Sequence, residues 1–173
     1  QAAIKSCQMN PTQWFHMAVD ACQVQLWLAQ QEFDTAYRWA QENILIAEVE
    51  LNPINEFEHI SLARVLINQG RAEPDGKTLA KALESTNRLT LSAESAGRMG
   101  HLIELLILQA SALDAQGDLE KALNCLDRAI GLAEPEGFVR VFLNNGAPMV
   151  RLLKEAARRD IAADYAIKLL NQI

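Results

Sequence analysis

The sequence predicts an all-α fold, a right-handed superhelix of stacked helical hairpins, and three observations predict it. The first is a repeat. Residues 23–43 (QVQLWLAQQEFDTAYRWAQEN), 61–81 (SLARVLINQGRAEPDGKTLAK) and 109–129 (QASALDAQGDLEKALNCLDRA) share one template of helix, tight turn and helix. Each apolar helix closes on Gln30-Gln31, Gln69-Gly70 or Gln116-Gly117, and a new segment opens at once. The second is the period: 39 residues separate Gln31 from Gly70, and 47 separate Gly70 from Gly117. Stacked helix hairpins repeat over such lengths, with variable loops between them. The third is the pattern between turns, where helix formers dominate and sustained alternation occurs only at residues 138–143 (FVRVFL).

These features define a tetratricopeptide-like αα-superhelix of about three and a half hairpins. We expect one helical-repeat domain over residues 1–173, with repeats about 12–52, 55–97 and 98–135 and terminal helices over 136–173. In the first repeat a helix should run from Thr12, as cap after Pro11, to Gln30. Its partner, from Glu32, should reach Leu51 and stop before Pro53, which disfavours helix in the residue preceding it. The second pair should start near Asn55, with Glu58 completing a box-like cap. It should turn at Gly70-Arg71, and residues 72–77 (AEPDGK) interrupt the way into a helix from Thr78 to Ala96.

The third pair is the clearest. Residues 101–116 are apolar almost all round, as suits a helix packed on two sides. Gly117 ends that helix and Asp118 caps the next, whose stripe of Leu119, Ala122, Leu123, Leu126, Ala129, Ile130 and Leu132 should be buried. We read residues 138–143 as helix, since a lone strand in a helical stack leaves its backbone unpaired. Pro148 opens the following helix where its missing N–H costs nothing. A last short helix should cover Ala162 to Asn171. Gln1 opens almost directly onto helical sequence and the end is still amphipathic, so we expect a segment of a larger protein.

Composition bounds the function. The net charge of −6 opposes a nucleic-acid surface, which needs concentrated Lys and Arg. The one dense basic cluster, Arg151, Lys154, Arg158 and Arg159, fits a solvated helix face. Cys7, Cys22 and Cys125 match no zinc or redox spacing, and a reducing, cytoplasmic setting is expected. The apolar run 102–113 is too short to span a bilayer and is broken by Glu104 and Gln109, so no membrane partner is expected.

No site of chemistry emerges. Residues 70–78 (GRAEPDGKT) nearly spell a phosphate loop, but the spacing is one residue too long and no strand precedes it. Glu56 and His59 have the Glu-x-x-His spacing of di-iron bundles, yet only the reversed pair His101 and Glu104 could complement it. His16 with Asp20 is a lone i, i+4 pair. No nucleophile stands beside a base, and Cys22 lies two turns from His16. The expectation is a non-enzymatic chain with no catalytic residue, metal or cofactor. Trp27, four residues before its turn like Leu66 and Leu113, reads as core. Trp39 should pack between repeats, and Trp14 either lines a pocket or packs at the N-terminus.

Solenoids bind through their concave face. Counted back from the aligned turns, the concave positions are Gln25 in the first repeat, Phe57, Arg64 and Asn68 in the second, and Glu104, Ser111 and Asp114 in the third. These seven form the candidate groove for a ligand or partner.

Several stretches resemble one family. Residues 62–71 (LARVLINQGR), residues 104–110 (ELLILQA) followed by Ala115-Gln116-Gly117-Asp118, and above all residues 129–149 (AIGLAEPEGFVRVFLNNGAPM) resemble the MalT-type large ATP-binding regulators of the LuxR family. Ala163-Asp164-Tyr165 and Leu169-Leu170 look like theirs too. The resemblance runs from about Phe57 to the end, and the first repeat fits generically. It implies the last part of a superhelical region that senses a small-molecule inducer or a regulatory protein and controls self-association of a transcription activator. ATP binding would belong to an upstream module and DNA binding to a C-terminal helix-turn-helix, both absent from this chain. Residues 72–77 depart from the tighter form of the repeat. A free-standing adaptor that docks peptides in the groove is the alternative.

Overall fold

The computed structural model describes residues 11–44, 55–72 and 76–172, with side chains from residue 19 onward. Nine helices occur among them: α1 (Pro11–Ala29), α2 (Phe33–Glu42), α3 (Glu56–Ala72), α4 (Lys77–Ser95), α5 (Met99–Ala115), α6 (Leu119–Ala133), α7 (Arg140–Leu143), α8 (Gly146–Arg158) and α9 (Ala163–Leu170). No strand is present among the described residues. Successive helices form hairpins. α1, α3 and α5 touch in series as an inner row, α2 and α4 each contact the next inner helix, and α6 contacts α8. The chain is an all-α tetratricopeptide-like superhelix, as its period predicts.

Why α5 sits at the centre is plain from its sequence. Leu102, Ile103, Leu105, Leu106, Ile107 and Leu108 are all fully buried, because α4 and α6 cover it on both sides. Its polar interruption is satisfied. The Gln109 amide donates to Asn87 Oδ1 (2.8 Å) and Thr90 Oγ1 (3.0 Å), while Thr90 donates to the Thr86 carbonyl. The α6 stripe packs as expected, with Ala122, Leu123, Leu126, Ala129 and Ile130 buried and Leu119 and Leu132 half-buried against the core. Gly117 takes the left-handed conformation (φ 84°), and Asp118 accepts from the Lys121 N–H.

The second hairpin departs from expectation. Gly70 is not its turn; α3 continues through Gly70 to Ala72, and the left-handed residue is Gly76 (φ 73°). Gly70 is glycine for a different reason: a Cβ there would lie 2.6 Å from Leu79 Cγ of α4. Absence of a side chain lets the two helices close on each other. The left-handed positions Gln31, Gly76 and Gly117 are therefore 45 and 41 residues apart, more even than the sequence alignment gave.

Two helix ends also differ. The described part of α1 starts at Pro11, so Thr12 lies inside the helix. α2 stops at Glu42, where Asn43 Nδ2 donates to the Trp39 carbonyl (2.8 Å) and competes with the backbone ladder. The expected boundary at Pro53 falls outside the described residues, as do Cys7 and residues 73–75 of the interrupting loop; the side chains of Trp14 and His16 are likewise not described. Trp27 and Trp39 are half-buried against the core.

The C-terminal helices fold back as a cap. Residues 140–143 are helical, as preferred over a strand, and Phe142 is fully buried edge-on to Tyr165 with ring centroids 6.4 Å apart. The Tyr165 hydroxyl donates to the Phe138 carbonyl (3.1 Å). The basic face of α8 is largely spoken for. Arg151 pairs with Asp114, Arg158 with Glu155, and Arg159 with both Glu155 and Glu120. Those partners hold the Glu155 carboxyl down at about 2.

Candidate functional site

A groove of about 800 Å3 opens on the inner row. Its walls come from α1, the start of α2, α3, α5 and the α7–α8 turn. Four of the seven predicted positions line it: Gln25, Arg64, Asn68 and Ser111. Leu26, Phe33, Ile67, Leu143 and Pro148 supply apolar wall.

Glu104 and Asp114 are not lining residues; they hold the arginines that are. Arg64 Nη2 donates to Glu104 Oε1 at 2.5 Å, and Arg64 Nη1 donates to Asn145 Oδ1 at 3.3 Å. Asp114, its side chain 2% exposed, takes Arg71 Nη2 at 3.2 Å on one oxygen and Arg151 on the other. Arg71 also donates to the Ser111 carbonyl at 2.6 Å. Asn68 Oδ1 accepts from the Tyr37 hydroxyl at 2.8 Å, which fixes that amide against α2. Arg64 Nε and Ser111 Oγ are buried without a hydrogen-bond partner among the described residues.

Phe57 falls elsewhere. It lies edge-on to His101 (5.0 Å, 82°) beside the buried Glu56, far along α3 from the groove. The Glu56 carboxylate is taken by Arg98 Nε and His101 Nδ1, each at 2.8 Å, so it pairs across helices and not with His59. His59 is fully buried, and burial, then Arg88, lower its imidazole below the ordinary value against the pull of Glu56. No group of three His, Cys, Asp or Glu side chains able to hold a metal occurs among the described residues. Cys22 is exposed on the groove wall; Cys125 is half-buried, and burial raises its thiol. Lys77 and Thr78, the end of the near phosphate loop, open α4, and a helix, not a strand, precedes it.

Sequence reasoning reads Asn145-Gly146 as a turn and Arg151 as part of a solvated face, but brings neither them nor Arg71 to the groove or its ion pairs. The signal for the turn was present as Asn144-Asn145-Gly146, a polar cluster between two helices. Its folding back onto α3, 81 residues away, is long-range and leaves no local trace.

The MalT-like TPR region family matches residues 5–159. The chain belongs to that family. The match reaches back through the first hairpin, further than the stretch from Phe57 that carried the resemblance, so the generic first repeat is a member of the same array. No curated protein and no solved structure matches the chain. Among the described residues, no helix is long and apolar enough to cross a membrane.

Proposed function

We propose that this MalT-like helical-repeat segment is the sensor and oligomerisation part of a LuxR-family transcription regulator. A small-molecule inducer or a regulatory protein binds its concave groove and shifts the population between a closed and an assembly-competent state. One observation carries the reading: a single groove is walled by α1, α3, α5 and the C-terminal cap together. An occupant therefore has differential contacts to offer if the cap moves, which is what a population shift requires. Nucleotide and DNA binding would belong to flanking modules, in a cytoplasmic protein.

The test is transcriptional. In the intact regulator, alanine at Arg64 or at Glu104 should weaken the inducer response of a reporter while the far-ultraviolet circular dichroism of the segment stays helical. An unchanged response removes the groove assignment. Sequencing the reading frame on both sides checks the setting: a helix-turn-helix soon after Ile173 and a phosphate-loop ATPase upstream support the regulator. A stop codon there favours instead a free-standing adaptor, a reading to which the exposed Leu26 and Phe33 on the groove wall also lend themselves.

A further inference from the structure

We infer that the groove recognises an amphipathic small molecule by an anionic head, a carboxylate or a phosphate, seated against Arg64, Ser111 and Asn68. The inference rests on the groove being the ligand site and adds the chemistry of the ligand.

The buried floor offers donors, and the Ser111 hydroxyl can both donate and accept. Arg64 and Ser111 are 9% and 5% exposed, and each keeps one polar atom, Nε and Oγ, with no partner among the described residues. Both Nη atoms of Arg64 are already committed, to Glu104 and Asn145. Asn68 has its oxygen occupied by the Tyr37 hydroxyl, so what it can still present is its NH2. Glu104 and Asp114 are held by arginines, and Asn145 accepts from Arg64 while donating to the Val141 carbonyl. The amides of Gln25, Gln31 and Asn144 are more exposed and lie toward the rim.

Charge runs the same way. Arg64, Arg71 and Arg151 face two carboxylates, Glu104 and Asp114, which leaves one positive charge over. None of the described lining residues is acidic, although the whole chain carries −6. A neutral polyhydroxylated ligand could accept from these donors, but only through neutral oxygens. An anion brings only acceptors, and its bonds to a guanidinium are charge-assisted. Much of the remaining wall is apolar, and about 800 Å3 is in the range of small-molecule sites. That wall suits a hydrocarbon body behind the head.

Cys22 supplies a direct readout, since its exposed thiol sits on the groove wall. The purified chain is treated with iodoacetamide in octanoate, octyl phosphate or 1-octanol, with alkylation at Cys22 followed by mass spectrometry and melting followed in parallel. One or both anions should slow alkylation and raise Tm, and which one does so names the head group. 1-Octanol at the same concentration should do neither. Ser111→Ala and the paired Arg64→Gln with Glu104→Gln, which exchanges the ion pair for two amides, should each weaken the effective anion about tenfold, the size of one charge-assisted hydrogen bond. Should the paired variant fail to fold, Ser111→Ala and Arg64→Lys carry the test. Equal protection by 1-octanol, or none by either anion, overturns the inference. Protection by a neutral oligosaccharide alone overturns it too, while leaving the groove as the sensing site.

Discussion

The first and third hairpins are written on one template and are built very differently. In the third, six consecutive large side chains of α5 around Leu105 are buried, apart from Glu104, and the turn is a left-handed glycine followed by a capping aspartate. In the first, the described core of α1 and α2 is Ala21, Val24, Ala36 and Ala40. Its turn puts Gln31, not glycine, in the left-handed conformation (φ 62°), and no side chain caps α2. Val19, Leu26 and Phe33 stay exposed. The third hairpin is covered on both sides; the first has a described neighbour on one. Equal sequence templates thus yield a firm wall and a loosely anchored wall around the same groove, and the difference comes from neighbours, not propensity.

Four experiments break or sharpen that contrast. Leu105→Ala should cost about 2–5 kcal/mol in urea unfolding, whereas Val24→Ala should cost about 1.5 kcal/mol for two buried carbons. Equal losses would put the two hairpins on one footing. Gly70→Ala should cost about 1–3 kcal/mol, since the new methyl must displace Leu79 and part α3 from α4. If its Tm matches wild type, the close approach is not a constraint. At the turns, Gly117→Ala should destabilise by about 1 kcal/mol, while Gln31→Gly should relieve strain and gain somewhat less. Identical signs in the two would mean that the turns are not equivalent.

The smallest effect is a pH slope. Folding favours the neutral His59 ring, so its contribution is full above the unfolded value of 6.5 and shrinks as the pH falls below it, where the unfolded chain takes up the proton first. His59→Leu should flatten the fall of Tm between about pH 7 and pH 5. Glu58, raised by burial and by Asp20, has the opposite slope, so the difference between variant and wild type is the quantity to read. A parallel pair of curves would show that His59 titrates freely.

Most of the helices and the fold class could be read from the sequence because periodicity, glycines and Asp118 are local signals. The misplaced turn at Gly70 is instructive. It set Arg64 level with Ser111, 47 residues on, whereas the contacts set it level with Glu104, 40 residues on. The slip of seven residues is almost two helical turns, so it changed height along the helix and kept the face. That is why Gln25, Arg64, Asn68 and Ser111 all reach the groove while Phe57 misses it. The network behind the arginines was illegible, because pairings such as Arg71 with Asp114 depend on how neighbouring hairpins stack.

The bond from Arg64 to Asn145 joins α3 to the turn before α8 and passes over the third hairpin altogether. Repeat arrays ordinarily melt as one-dimensional chains in which each unit knows only the next, and their ends fray first. A contact that skips a unit turns the stretch from Arg64 to Asn145, a little under half of the chain, into a loop fastened to itself. Detaching the α7–α8 turn then breaks a bond to α3, so this part of the far end is tied to the middle of the array and should melt together with it.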